Sequence, residues 1–260
     1  MKRCFLACIL LLATAINPAL AQNSSEKPTS IKIASGDWPP YMAKNLPDYG
    51  IASKIVSEAF ATKGIRVVYE FYPWNRSLKR TRKGQIDATG VWFESADRHA
   101  DFFVSKPVID ANYVLYYPKS KPLICKNIGD LFGHKIGATL GYFYGDEFER
   151  AEMDGKIKVV RATTDQISLK NVALGRIDGF PLDELVAKHM IANDLTPSEA
   201  EQIDTSSFVV YARPLHLLIS RNIPNGKELA RLFDQGLEEI RKNGTYDRIV
   251  NNPALRNTKQ

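Results

Sequence analysis

Arg98 carries the clearest chemistry in this chain. It ends a polar stretch, Glu94-Ser95-Ala96-Asp97, that follows a short buried strand expected over Ile86 to Val91. A guanidinium fork fixed in a loop after a strand meets a carboxylate through two parallel charge-assisted hydrogen bonds. Arg98 is therefore a candidate clamp for a small anion. Two further stretches offer ligand surfaces. Trp38-Pro39-Pro40-Tyr41 holds two aromatic rings on an extended turn, because prolines forbid helix there. That turn is either a packing element or an aromatic wall. Gly141-Tyr142-Phe143 precedes a helix expected from Asp146, and a glycine loop at a helix start presents free backbone N–H groups to an anion. Asp183 stands just before Glu184-Leu185-Val186-Ala187, in the position of a helix N-cap. Arg76, just after Pro73-Trp74, either reaches a cleft or covers surface.

Other chemistry is missing. There is no Gly-x-Ser-x-Gly, His-Glu-x-x-His, Cys-x-x-Cys or phosphate loop. His99, His134, His189 and His216 are scattered, and no nucleophile, base and orienter come together, so no enzyme mechanism can be assembled. No metal or other cofactor is expected. Asp146, Glu147, Glu149, Glu152 and Asp154 have no His or Cys beside them and read as a solvated helix face; so do Lys79, Arg80, Arg82 and Lys83.

The elements that must position these residues can be read in order. The chain has 260 residues, 44% apolar and 25% charged, which suits a packed core of one large domain or two small ones. Lys2-Arg3, the apolar run Phe5 to Ile16 and Ala19-Leu20-Ala21 read as a secretory signal peptide over 1–21, cut before Gln22. Cys4 and Cys8 leave with it, and Cys125 remains as a small apolar filler. Removing Lys2 and Arg3 leaves 33 basic and 29 acidic residues, a charge of +4 that argues against a nucleic-acid binder. Residues 22–29 form a polar tether. Helices are expected over Tyr49 to Lys63, Pro73 to Lys83, Thr164 to Leu174 and Gly226 to Lys242, with strands between them. Val108 to Tyr117 is a β-rich run ending in Pro118-Lys119-Ser120-Lys121-Pro122, a composition shift that suggests a crossing between two lobes. Phe208 to Tyr211 and His216 to Ser220 read as two strands that bring the chain back.

Several of these motifs form a known order. Gly84-x-Ile86-Asp87, a strand, Ser95-x-x-Arg98 and Phe102-x-x-Ser105-x-Pro107 are followed by Gly175-Arg176-x-Asp178, Asp183 and Gly244-Thr245-Tyr246-Asp247. This order resembles that of extracytoplasmic solute-binding proteins of family 3, the polar amino-acid receptors of ABC importers. The resemblance runs from about residue 31 to 252. It implies an α/β, two-lobed periplasmic-binding-protein fold of type II, with two crossovers. Lobe 1 would hold residues 30–117 and 213–255, and lobe 2 residues 118–212.

By the same resemblance Arg98 grips an α-carboxylate, Asp183 takes an α-amino group, and Trp38 and Trp74 stack on the ligand. Where relatives have hydroxyls this chain has Val91 and Phe93, and Tyr142 and Phe143 replace the hydroxyl residues of a Gly-[Ser/Thr]-Thr loop. The cleft should thus be drier and more aromatic than the family's usual one. The expected function is a periplasmic receptor, monomeric and closing on a small amino acid or related anion or amine for permease subunits in the inner membrane. The same fold also includes cyclohexadienyl dehydratases, for which Glu94 or Asp183 would be the acid, and receptors for membrane sensors.

Overall fold

The computed structural model describes residues 28–256. The signal peptide expected over 1–21 and the tether residues 22–27 lie outside the described residues. The chain opens with β1 (Ser30–Ser35), α1 (Ile51–Ala61), β2 (Arg66–Phe71), α2 (Trp74–Arg82), β3 (Ala88–Phe93) and α3 (Ala96–Asp101). A long strand follows, β4 (Phe102–Pro118), then β5 (Lys135–Thr139), α4 (Asp146–Met153), β6 (Lys158–Ala162) and α5 (Asp165–Ala173). Next come β7 (Phe180–Asp183), α6 (Glu184–Asn193), α7 (Pro197–Glu201) and a second long strand, β8 (Ile203–Ser220). The chain ends with α8 (Gly226–Lys242), α9 (Thr245–Val250) and α10 (Pro253–Arg256). This is the mixed α/β architecture of the two-lobed type II periplasmic-binding fold.

Six strands form one sheet in the order β2-β1-β3-β8-β4-β7, with β1 parallel to β2 and β3 and the remaining pairs antiparallel. β5 and β6 form a parallel pair, tied to the start of β7 by the Gly137 N–H, which donates to the Gly179 carbonyl at 2.8 Å. The two long strands connect the halves. β8 pairs with β3 at its end, Leu215 to Ile219, whereas β4 pairs with β7 through Tyr113 to Tyr116. The passage from one half to the other therefore lies inside the β4–β8 ribbon, where Asp110 to Tyr113 oppose Pro214 to Tyr211.

The first half is closed by helices. The apolar positions of α1, Ile51, Ile55, Val56, Ala59 and Phe60, recur at helical spacing and are all buried. They pack on α8, whose buried stripe is Leu229, Leu232, Phe233, Leu237 and Ile240. A Cβ on Gly236 would collide with the Ala59 carbonyl, so only glycine allows the two helices this approach. Phe60 and Phe233 then meet at 5.1 Å between ring centroids. Burying a phenylalanine side chain contributes roughly 1.5–3 kcal/mol.

Two local expectations are corrected. Arg98 does not end a loop; it sits on the one-turn helix α3. The carbonyl of Ser95, at the N-cap position, accepts from the Arg98 and His99 amides at 3.0 and 3.2 Å, which turns the polar stretch into a helical turn. The two strands expected over Phe208 to Tyr211 and His216 to Ser220 are one continuous strand, β8. Pro214 interrupts its propensity, but proline lacks only the donor; its carbonyl and fixed φ suit extended backbone.

Candidate functional site

Arg98 is 7% exposed. Its Nη1 donates to the Phe93 carbonyl at the end of β3, and its Nη2 reaches the Gly141 carbonyl in the other half at 3.5 Å. Its Cζ lies 4.9 Å from the centroid of the Trp92 ring. Among the described residues, no carboxylate lies within ion-pair distance of it. Burial lowers its pKa from the usual arginine range to about 10, so it keeps its charge at neutral pH.

The guanidinium opens into a cavity lined by Trp38, Trp74, Val91, Trp92, Phe93, Tyr113, Tyr142, Phe143 and Leu215. Each lining residue follows from its element. Val91, Trp92 and Phe93 end β3; Trp74 opens α2; Tyr142 and Phe143 belong to the loop after β5; and Tyr113 lies where β4 crosses. The rings interlock at edges: Trp74 with Trp92 at 5.0 Å, Phe93 with Tyr113 at 5.2 Å and Phe143 with Tyr211 at 5.5 Å. They fill the cleft so far that the volume open to the centre of a water molecule is about 30 Å³, room for roughly two waters.

The Trp38–Tyr41 turn packs on itself. Its rings stack at 4.7 Å, and the Tyr41 and Met42 amides donate to the Trp38 carbonyl at 2.9 and 3.0 Å. Trp38 also lines the cavity, while Tyr41 points past it. The Tyr41 hydroxyl donates to Asp183 Oδ2 at 3.3 Å.

Asp183 is 1% exposed and caps α6 as expected, its Oδ1 accepting from the Leu185 and Val186 amides at 2.9 and 3.2 Å. Its Oδ2 accepts from the Asn112 amide at 3.0 Å as well as from Tyr41. Burial raises its pKa to about 6, against the effect of these donors.

Arg76 is exposed and outside the cavity lining. Gly141 contributes its carbonyl, which Arg98 engages. Its φ is +83°, and a Cβ there would collide with Asn75 Oδ1, so glycine lets this loop lie against the start of α2. Cys125 is buried, and burial pushes its thiol up to about 11, which fits an inert packing role.

Asp165 was missed. It is 4% exposed and accepts from Thr139 Oγ1 at 2.5 Å and from the Trp38 indole N–H at 3.1 Å, a contact that joins the two halves. Burial raises its pKa to about 6, partly offset by Thr139, Trp38 and the Tyr142 hydroxyl. In sequence it is only the acid after the Thr164 cap, and nothing local shows that α5 starts opposite Trp38. Tyr113 was also missed. It lines the cavity, its ring 5.7 Å from that of the buried Tyr144, in a stretch that reads as core strand.

The family model for bacterial extracellular solute-binding proteins, family 3, matches residues 31–252. A Campylobacter jejuni protein named a probable histidine-binding protein is 24% identical over 264 residues, covering 95% of this chain and 96% of its own. A Bacillus subtilis protein named a probable amino-acid-binding protein is 23% identical over 196 residues, covering 75% of this chain and 72% of its own. The fold is also that of a Streptococcus pneumoniae amino-acid ABC transporter substrate-binding protein solved with L-arginine. That structure has a TM-score of 0.71 at 17% identity, over 88% of this chain and 97% of that one.

Proposed function

Because the chain belongs to the bacterial extracellular solute-binding proteins of family 3, we propose that it captures a small organic carboxylate between its halves, with Arg98 as the anion clamp. One observation carries this reading. A buried, charged guanidinium faces the cleft with carbonyl oxygens and a ring face around it, and among the described residues no carboxylate neutralises it. A ligand carboxylate supplies that partner through the geometry for which the arginine fork is suited.

Residues 30–117 with 213–255 act as one lobe and 118–212 as the other, bending at the β4–β8 ribbon. Arg98 to Gly141 and Trp38 to Asp165 are the contacts that closure makes. A ligand that bridges the lobes favours the closed state by its differential affinity for it. Hinge closure around a ligand is the general behaviour of periplasmic binding proteins. The protein works outside the cytoplasmic membrane as a monomer and hands its ligand to permease subunits. The names of the relatives point to amino acids and their analogues as the class to screen.

The test compares wild type with Arg98→Ala in a thermal-shift screen of small carboxylates, followed by calorimetry of the hits. A ligand that binds only the folded form raises Tm by mass action. Arg98→Ala should fold and lose affinity by about 30-fold or more, since removing one member of a buried charge pair costs roughly 2–5 kcal/mol. Unchanged affinity in the variant would refute the clamp.

A further inference from the structure

We infer that the ligand is a carboxylate without an amino group, and that Asp183 serves as a structural cap and not as a cation acceptor. This rests on the reading of Arg98 as the clamp and names the class of acid that the same site takes.

A carboxylate offers about four lone-pair sites. Asp183 has four donors on them: the Leu185 and Val186 amides on Oδ1, the Asn112 amide and the Tyr41 hydroxyl on Oδ2. Three of the four are backbone groups of α6 and β4, which cannot turn away. Asp183 is also absent from the cavity wall. Asp165 is shielded in a comparable way. Trp38, which does line the cavity, directs its N–H onto one oxygen, and Thr139 takes the other. Glu94 is exposed and lies 3.4 Å from His99, on the surface side of α3.

Among the described residues, what faces the cavity is therefore one cation, Arg98, amid aromatic and aliphatic side chains. An ammonium brought into this space loses its water, finds no carboxylate on the wall and meets a like charge. Aromatic faces attract cations, but the ring of Trp92 already carries the guanidinium at 4.9 Å, and the other rings meet one another, Trp38 stacked on Tyr41 and Trp74, Phe93 and Phe143 set edge to face with Trp92, Tyr113 and Tyr211. An unpaired charge is strongly disfavoured in such a space. A carboxylate on an apolar body avoids that penalty and leaves Arg98 neutralised.

Calorimetry on the purified protein with matched pairs separates the two classes: propanoate against alanine, 4-methylpentanoate against leucine, 3-phenylpropanoate against phenylalanine. The amine-free acid of each pair that binds should do so at least about tenfold more tightly than its amino acid, and Arg98→Ala should abolish that binding. An amino acid that binds as well as its amine-free partner, or better, overturns the inference while leaving the clamp standing. Binding by no member of any pair overturns the carboxylate reading, and this inference with it.

Discussion

Two arginines hold the two ends of one loop, and their surroundings differ. Arg161 donates from Nη1 to the Thr139 carbonyl at 3.4 Å, and Arg98 from Nη2 to the Gly141 carbonyl at 3.5 Å. Arg161 lies on the flank, 24% exposed, with Glu152 at 2.5 Å and Glu149 at 3.4 Å. Burial disfavours its charge, but the Glu152 and Glu149 carboxylates more than compensate and its pKa rises. Arg98 is more deeply buried, has carbonyls in place of carboxylates, and its pKa falls. Asp165 and Asp183 share that condition: both are buried, held by neutral donors and pushed up. Even on the flank burial raises Glu149 above its usual range, yet there each charge has its opposite within reach. A paired cluster fastens the fold. Arg98, held only by neutral dipoles, marks the cleft, where the structure keeps a charge that a ligand can complete.

The largest test of this contrast is the pH dependence of the cleft acids. In the unfolded chain both titrate near the usual value of about 4; in the fold both titrate at about 6. Between these values the folded state holds more protons, so each acid's contribution falls as pH rises and levels off above about 6. Asp165→Asn cannot ionise. Its stability relative to wild type should therefore improve by up to roughly 3 kcal/mol between about pH 4 and pH 7, as read by urea denaturation. A flat difference would mean that Asp165 is not strained. Next, Arg98→Lys keeps the charge and loses the fork. Ligand affinity should drop about 100-fold, near 2.7 kcal/mol, with little change in Tm.

Gly141→Ala comes third. At φ +83° and against Asn75, the added methyl should cost roughly 1–2 kcal/mol of stability and weaken binding through the displaced carbonyl. Arg161→Lys is the smallest effect: its partly exposed pairs should be worth about 1 kcal/mol in denaturation, with ligand affinity unchanged. If Arg161→Lys weakened the ligand as much as Arg98→Lys, the distinction between flank and cleft would collapse.

Much of the framework was legible because it is local. α8 begins and ends where its apolar spacing says, Thr164 accepts from the Ile167 amide as an N-cap should, and Asp183 caps α6. The cleft residues were legible where side-chain type is unusual for its place, as with Arg98 after a buried strand or two prolines between aromatics. Asp165 and Tyr113 were not, because their roles depend on partners far along the chain. Trp38 lies 127 positions from Asp165, and an acid in the first turn of a helix looks the same whether it faces water or an indole. The degree to which aromatic rings fill the cleft was likewise invisible, since it depends on how the two halves meet. The single strand β8 was hidden by Pro214, which breaks a propensity count without breaking extended backbone.

The seating of α8 on α1 also fixes an order of events during synthesis. The part of residues 51–61 around Ala59 and Phe60 has no lasting cover until residues 226–242 have been made, because Phe233 and Gly236 are what lie against them. The intervening stretch can assemble from near neighbours, β5 with β6 and β7 with α6, while the first half waits for α8. Contacts of such long sequence separation are slow to form. A newborn chain of this design thus carries one side of its first helix uncovered for most of its elongation, the interval in which a holdase finds a surface to grip.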